Sequence, residues 1–172
     1  MVEEYKYKDI THKIIGAAMQ VHKVIGNCFQ EVIYQREMEM EMPYFELSFN
    51  REFEMPIFYR EKQIGLRRVD FLVMNVIAVE LKAVIKLEDV HLAQAINYLE
   101  AYNLEVGLLL NFGSKSLAFK RLINTKYNPV NSSISEIESD KIPKSSNSSK
   151  VKFKRFFGNL GISLIDFDFK YK

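Results

Sequence analysis

The segment Glu105–Phe112 is a near-continuous apolar run, in which Gly107 and Asn111 are the interior exceptions. Strands that are buried on both faces have this composition, whereas strands with one solvated face alternate apolar and polar residues. The run therefore predicts a strand in the middle of a sheet. A chain of 172 residues is long enough to enclose such a strand in a core.

Four other segments have the composition of strands. Pro56 implies that its strand is an edge strand or contains a bulge. Residues Lys62–Gly65 resemble a turn, and Asn75 is expected to form a tight hairpin turn between two neighbouring strands. The predicted strands are Phe49–Tyr59, Arg68–Met74, Val76–Val84 and Leu117–Ile123.

Three segments have helical patterns, which together with the strands predict an α/β fold. In the first, Thr11 is the expected N-cap, and Gly26 interrupts the apolar period as a C-terminal turn does. Pro43 prevents the second helix from continuing. The third begins with Glu88 and Asp89, acids that favour the positive end of a helix. The predicted helices run from Thr11 to Ile25, from about Phe29 to Met40 and from about Leu87 to Tyr102.

Composition limits the classes of site and location. The single cysteine, Cys28, cannot form an internal disulfide, which suits a reducing cytoplasm. The one cysteine and the three histidines are far apart in the sequence, so they form no cluster with the spacing of a zinc site. No stretch resembles a signal peptide or a membrane span, so no membrane partner is expected. The net charge of +2 argues against a protein that coats nucleic acid by charge alone.

The character of the chain changes after Asn124. Residues 131–150 are dominated by Ser, Asn, Lys, Glu and Pro, a composition that predicts a flexible linker. From Ile165 to Tyr171, apolar residues alternate with charged ones, which is a strand pattern. The predicted organisation is an α/β domain over residues 1–126, a linker at 127–150 and a short β extension at 151–172.

Asp70, Glu80 and Lys82 are the candidate catalytic residues. On a strand, Glu80 and Lys82 project from the same face, about 7 Å apart along the chain. The expected hairpin at Asn75 places Asp70 beside the strand that bears Glu80. Two carboxylates and an ammonium group then converge, and hard cations such as Mg²⁺ or Mn²⁺ bind carboxylate oxygens. A salt bridge between the same side chains is the alternative explanation.

Two pairs of helical residues extend this pattern. Gln94 and Tyr98 are four residues apart and share a helix face that can look onto the site, although a solvated face is the alternative. Glu31 and Tyr34 share a face of the second helix. Glu31 stands in an otherwise apolar stretch, and the alternative is an acid that only favours the helix N-terminus.

The combination of these motifs resembles the GxxExxY protein family over roughly residues 8–124. That family is placed in the PD-(D/E)XK nuclease superfamily, which includes restriction endonucleases and RecB-type nucleases. The resemblance implies a restriction-endonuclease-like core, with a central mixed β-sheet flanked by α-helices. It is carried, in this order, by Glu31-x-x-Tyr34, Arg68-Val69-Asp70, Val79-Glu80-Leu81-Lys82, Gln94-x-x-x-Tyr98 and Val106-Gly107-Leu108-Leu109-Leu110-Asn111-Phe112-Gly113.

Carried over by position, the resemblance also implies residue roles. The implied metal is Mg²⁺ or Mn²⁺, with ligands from Asp70, Glu80, Glu31 and the carbonyl oxygen of Leu81. The implied catalytic set is Asp70, Glu80, Lys82, Glu31, Gln94 and Tyr98.

One position departs from the family pattern, because Cys28 stands where the Gly of GxxExxY is expected. If that Gly serves a tight backbone turn, Cys28 strains the turn, or the turn moves to Gly26.

The primary functional hypothesis is a metal-dependent phosphodiester hydrolase, a nuclease that acts on DNA or RNA. The first alternative is a catalytically silent module that keeps the nuclease fold and binds nucleic acid or a protein partner. The second is an interaction protein whose C-terminal strands pair with another chain. Homodimers are common among domains of this size, so association of two copies is also expected.

Overall fold

The computed structural model describes residues 6–60 and 62–129, which contain three helices and five strands. The helices are α1 (Lys8–Ile25), α2 (Glu31–Glu41) and α3 (Asp89–Ala101), with a short 3-10 helix at Met42–Phe45. The strands are β1 (Phe49–Tyr59), β2 (Lys62–Val73), β3 (Ile77–Lys82), β4 (Val106–Asn111) and β5 (Ala118–Ile123).

The five strands form one sheet in the order β1-β2-β3-β4-β5 within the described residues. β3 and β4 are parallel, and all other neighbouring strands are antiparallel. A parallel pair needs a crossover connection, which α3 provides. The sheet is therefore mixed, as predicted.

Helices cover both faces of this sheet. On one face, Ile14 of α1 and Tyr34 of α2 join Val79 and Leu81 of β3 in an apolar cluster. On the other face, α3 contributes to a second cluster, whose members include Ala95, Leu99, Leu72, Ala78 and Leu109. Successive side chains of a strand point to opposite faces, so β3 supplies both clusters. The predicted architecture, a mixed sheet flanked by helices, is confirmed.

β4 lies between β3 and β5, and each of its six residues is buried. The prediction of an interior strand from the apolar run is therefore confirmed. The expected tight turn at Asn75 is also present, since Met74 and Asn75 both have left-handed backbones and the Val76 N–H donates to the Val73 carbonyl.

The predicted turn at Lys62–Gly65 is wrong, because β2 already begins at Lys62 and pairs with Tyr59 of β1. Pairing with β1 overrides the local turn composition of this segment. The expectation for Pro56 is confirmed, since β1 is an edge strand and its register with β2 shifts just after Ile57.

The predicted N-cap at Thr11 is wrong. α1 begins three residues earlier, and the Thr11 hydroxyl donates to the Lys8 carbonyl inside the first turn. The predicted C-terminal turn is confirmed, because Gly26 has φ 73° and its N–H donates to the His22 carbonyl.

The predicted β extension at 151–172, and the linker apart from residues 127–129, lie outside the described residues. In the part of the chain that is described, no helix combines the length and the apolar character that crossing a bilayer requires.

Buried Asn111, at the end of β4, joins this strand to the loop that follows β3. Its side-chain oxygen accepts the N–H groups of Val84 (3.0 Å) and Gly113 (3.1 Å), and its amide nitrogen donates to the Val84 carbonyl (2.8 Å). The loop passes so close that a Cβ on Gly113 would lie 2.4 Å from the Val84 nitrogen. This contact fixes the backbone just beyond Lys82.

We expect Gly113→Ala to lower the free energy of unfolding by about 2 kcal/mol or more, because the added methyl group would meet backbone atoms that cannot rotate away. Chemical denaturation measures the change. The matched control is Gly65→Ala, whose added Cβ would meet only the Ile57 side chain at an ordinary 3.8 Å. Equal stability of the two variants would contradict the close approach at Gly113.

Candidate active site

β3 brings Glu80 and Lys82 together. The Lys82 Nζ donates to Glu80 Oε1 at 2.9 Å, and both side chains are largely buried. They alternate with Val79 and Leu81, which point into the apolar cluster on the opposite face. The predicted shared face of Glu80 and Lys82 is therefore present.

Asp70 lies where β2 stops pairing with β3. β2 pairs with β3 only from Phe71 to Val73. In the register between β1 and β2, Asp70 and the residue opposite it, Glu52, are not paired. Instead of a ladder bond, the Leu81 N–H donates to Asp70 Oδ2 at 2.6 Å. The other carboxylate oxygen, Oδ1, accepts the side-chain amide of Gln35 at 2.6 Å. The Asp70 side chain is thus tied to both β3 and α2.

Glu31, the first residue of α2, approaches the same group. Its Oε1 lies 3.9 Å from the Lys82 Nζ. The backbone of Ala83 also acts on the Glu31 carboxylate, and it lowers the pKa of that group. The structure therefore places three carboxylates around one ammonium group, from two strands and one helix.

Burial raises the pKa of the three carboxyl groups. Burial, followed by the charge of Asp70, raises the pKa of Glu80 to about 7. Burial also raises the pKa of Asp70, although the Leu81 N–H, Lys82 and the Gln35 amide act in the opposite direction. Burial likewise raises the pKa of Glu31 against the opposing charge of Lys82.

Lys82 remains an ammonium group. Burial alone would lower its pKa, but the hydrogen bond that Lys82 donates to Glu80 and the charges of Glu80, Glu31 and Asp70 outweigh burial and raise it. A lysine with a raised pKa keeps its proton near neutral pH, so it donates hydrogen bonds and does not act as a base.

One oxygen in the group is buried without a hydrogen bond. Glu80 Oε2 has no donor among the described residues, whereas Oε1 is bonded to Lys82. A buried carboxylate oxygen without a donor is costly unless a cation or water contacts it. The unsatisfied atom therefore points to a binding position beside Glu80.

The oxygen donors fit a hard divalent cation with few protein ligands. No group of three His, Cys, Asp or Glu side chains within residues 6–60 and 62–129 is arranged as a ready metal cage. Mg²⁺ does not require one, since it commonly binds through one or two carboxylates and keeps several waters. Asp70 and Glu80 match that requirement.

Gln94 and Tyr98 lie on α3, and the Gln94 side-chain amide donates to the Tyr98 hydroxyl at 3.1 Å. Tyr98 and Glu80 line the same small cavity between α3 and the sheet. Tyr98 therefore lies beside Glu80, whereas Gln94 is exposed and contacts Tyr98.

Three residues near the site were not predicted from the sequence. Gln35 contacts Asp70, Asn111 fixes the loop after Lys82, and the Arg67 guanidinium lies over the Tyr98 ring at 5.4 Å. Gln35 had a usable signal, since it follows Glu31 by four residues and so shares its helix face.

The loop before α2 is fixed by buried Tyr34. Its hydroxyl donates to the Gly26 carbonyl at 3.0 Å and accepts the Phe29 N–H at 3.2 Å. Within this loop Cys28 has φ 77°, a left-handed conformation that favours glycine. The sequence allowed either strain at Cys28 or a turn moved to Gly26. Both residues have a positive φ, and Cys28 is therefore strained.

Comparison with known proteins adds a family relationship. A family model described as the PD-(D/E)XK nuclease superfamily matches residues 8–122, from the start of α1 into β5. The matched region contains Glu31, Asp70, Glu80 and Lys82. No curated protein and no solved structure gives a significant match.

The raised pKa of Glu80 predicts a pH-dependent stability. Between its ordinary pKa of 4.5 and about 7, Glu80 keeps its proton in the folded chain and loses it on unfolding. The contribution of Glu80 is thus complete below pH 4.5 and is lost as the pH rises to about 7. We expect wild type to lose on the order of 3 kcal/mol relative to Glu80→Gln across this interval.

Urea denaturation in chelator, at intervals from pH 4.5 to 7.5, measures this difference. The control is Glu46→Gln, since the hydrogen bond from Lys13 lowers the pKa of exposed Glu46. The Glu46 contribution should be small and of opposite sign, lost as the pH falls. Parallel stability curves for wild type and Glu80→Gln would refute the assignment.

Relief of the left-handed backbone at Cys28 gives another prediction. We expect Cys28→Gly to raise the free energy of unfolding by about 1 kcal/mol, because glycine adopts this conformation without steric cost. Thermal or urea denaturation checks it. Cys28→Ser, which keeps a side chain at the same position, should give no gain, and a similar gain in both variants would contradict the explanation.

Proposed function

The chain belongs to the PD-(D/E)XK nuclease superfamily, and on this basis we propose that it hydrolyses phosphodiester bonds in DNA or RNA with a bound divalent cation. The observation that carries the proposal is the convergence of Asp70, Glu80 and Lys82, with Glu80 Oε2 buried and without a donor from the described part of the chain. Within the superfamily, the motif order favours the GxxExxY family.

We propose Asp70 and Glu80 as the principal metal ligands. Their hard oxygen donors suit Mg²⁺ or Mn²⁺. The Leu81 carbonyl and Glu31 are the further candidate ligands, since Leu81 lies between Glu80 and Lys82 and Glu31 lies across from Lys82. When bound, the cation would polarise the phosphodiester and lower the pKa of a coordinated water.

Lys82 has an electrostatic role in this proposal. Because its pKa is raised, it carries a positive charge at neutral pH and can stabilise the negative charge that develops on the phosphate oxygens. Glu80 and Glu31 hold its ammonium group from two sides, at 2.9 and 3.9 Å. This pairing keeps Lys82 oriented before substrate arrives.

Tyr98 and Gln94 are proposed to position the substrate. Tyr98 borders the cavity that Glu80 lines, and its hydroxyl is oriented by the Gln94 amide. Both side chains are neutral hydrogen-bonding groups, and such groups contact phosphate and sugar oxygens in nucleic-acid complexes.

A catalytically silent binding module is the second candidate. Three of the four carboxylate oxygens of Asp70 and Glu80 already accept hydrogen bonds from the protein. These bonds hold the site together without a cation, which favours this candidate. Nucleic-acid binding that is insensitive to chelator, with no turnover during long incubation, would support this candidate over hydrolysis.

We expect Glu80→Ala and Lys82→Ala each to lower Mg²⁺- or Mn²⁺-supported cleavage by about 100-fold or more, because each removes a charged group at the reacting phosphate. Cleavage of labelled single- and double-stranded DNA and RNA measures the loss, with circular dichroism to verify folding. Chelator should abolish the wild-type activity.

The matched controls are Glu46→Ala and Lys13→Ala. These variants remove the same two charge types from an ion pair of 2.8 Å that lies on the surface, away from β3. They should cleave as wild type does. Undiminished cleavage by Glu80→Ala and Lys82→Ala would refute the proposed site.

A further inference from the structure

α2 presents two polar side chains to the site from one face. Glu31 and Gln35 are four residues apart, a spacing that stacks side chains along a helix. Glu31 approaches Lys82 on β3, and Gln35 donates to Asp70 on β2. One helix face therefore contacts both strands that carry the charged residues.

The two carboxylates of the site are held by different kinds of donor. Glu80 is bonded to the charged Lys82, which offsets its negative charge. Asp70 is bonded at 2.6 Å by the Gln35 amide and at 2.6 Å by the Leu81 N–H, both of them neutral. Neutral donors fix the orientation of a carboxylate and leave its net charge in place. Asp70 is thus oriented and still able to attract a cation.

We propose that Gln35 is a positioning residue that holds the Asp70 carboxylate in the orientation in which Asp70 and Glu80 bind one divalent cation. The inference rests on the proposed function and assigns a role to a residue outside the motif that marks the family. Without the amide, the Leu81 N–H is the remaining donor to Asp70 among the contacts described above. A single donor leaves the carboxylate able to turn about it.

The test uses Gln35→Met in the full chain, because methionine matches the length of glutamine and lacks its donor. Mn²⁺ binding is measured by titration calorimetry, with free Mn²⁺ followed by electron paramagnetic resonance. We expect the Mn²⁺ dissociation constant to rise about tenfold, as is typical when a group that orients a metal ligand is removed. At saturating Mn²⁺, kcat should recover, and the KM for nucleic acid should match that of wild type.

Arg36→Met is the matched control, since Arg36 is the exposed next residue on the same helix. Its Mn²⁺ dissociation constant should equal that of wild type. A purely structural role for Gln35 would lower the melting temperature in chelator and leave the Mn²⁺ dissociation constant unchanged, and this result would overturn the proposal. If Gln35→Met does not fold, Gln35→Leu, which also lacks the donor, is measured in the same way.

The outcome for wild type separates the two proposals. If wild type binds Mn²⁺ and cleaves, but Gln35→Met binds Mn²⁺ with the same dissociation constant, the role of Gln35 is refuted and the nuclease function stands. If wild type shows no Mn²⁺ binding at all, the nuclease function fails first and the inference falls with it.

Discussion

The hydrogen bond from the Leu81 N–H to the Asp70 carboxylate joins the fold and the site in a single contact. At this point β2 leaves β3, and a side chain replaces the main-chain acceptor of a regular ladder. The side-chain alternation of β2 changes here as well, because Phe71 packs in the cluster below α1 and α2 while Val69 packs in the cluster below α3. The irregularity that ends the strand pairing is what places a carboxylate beside β3.

Three carboxylates and one ammonium group lie together at this site. Burial of charged groups is unfavourable unless a carboxylate takes up a proton or each charge has a partner. Each oxygen of Asp70 has a donor, and Glu31 is partly exposed. Glu80 is largely buried, has one oxygen without a donor among the described residues, and has a pKa raised to about 7. Such a balance is uncommon in a group that serves only stability, because hydrophobic residues would fill the same space at lower cost. The proposed cation site would account for the surplus of negative charge.

Sequence patterns predicted the strands, the helices and the residues that converge, because strand alternation and helical spacing are local and are encoded by neighbouring residues. They failed at the bounds of two elements. The segment Lys62–Gly65 has turn composition but pairs with the end of β1, and Thr11 lies inside a helix that starts at Lys8. The helical period places Gln35 on the same face as Glu31, but it does not show that Gln35 contacts Asp70, which lies 35 positions away on a strand.

The Asn111 side chain forms two hydrogen bonds with the Val84 backbone, in the connection between β3 and α3. The connection is therefore fixed up to Val84 and free to vary after it. Val84 is bonded to Asn111, whereas Ile85 directly after it is 91% exposed. Added residues at Ile85 would extend into solvent and leave the backbone at Lys82 undisturbed. The fold can therefore vary the length of the loop beside its charged site without rebuilding the site itself.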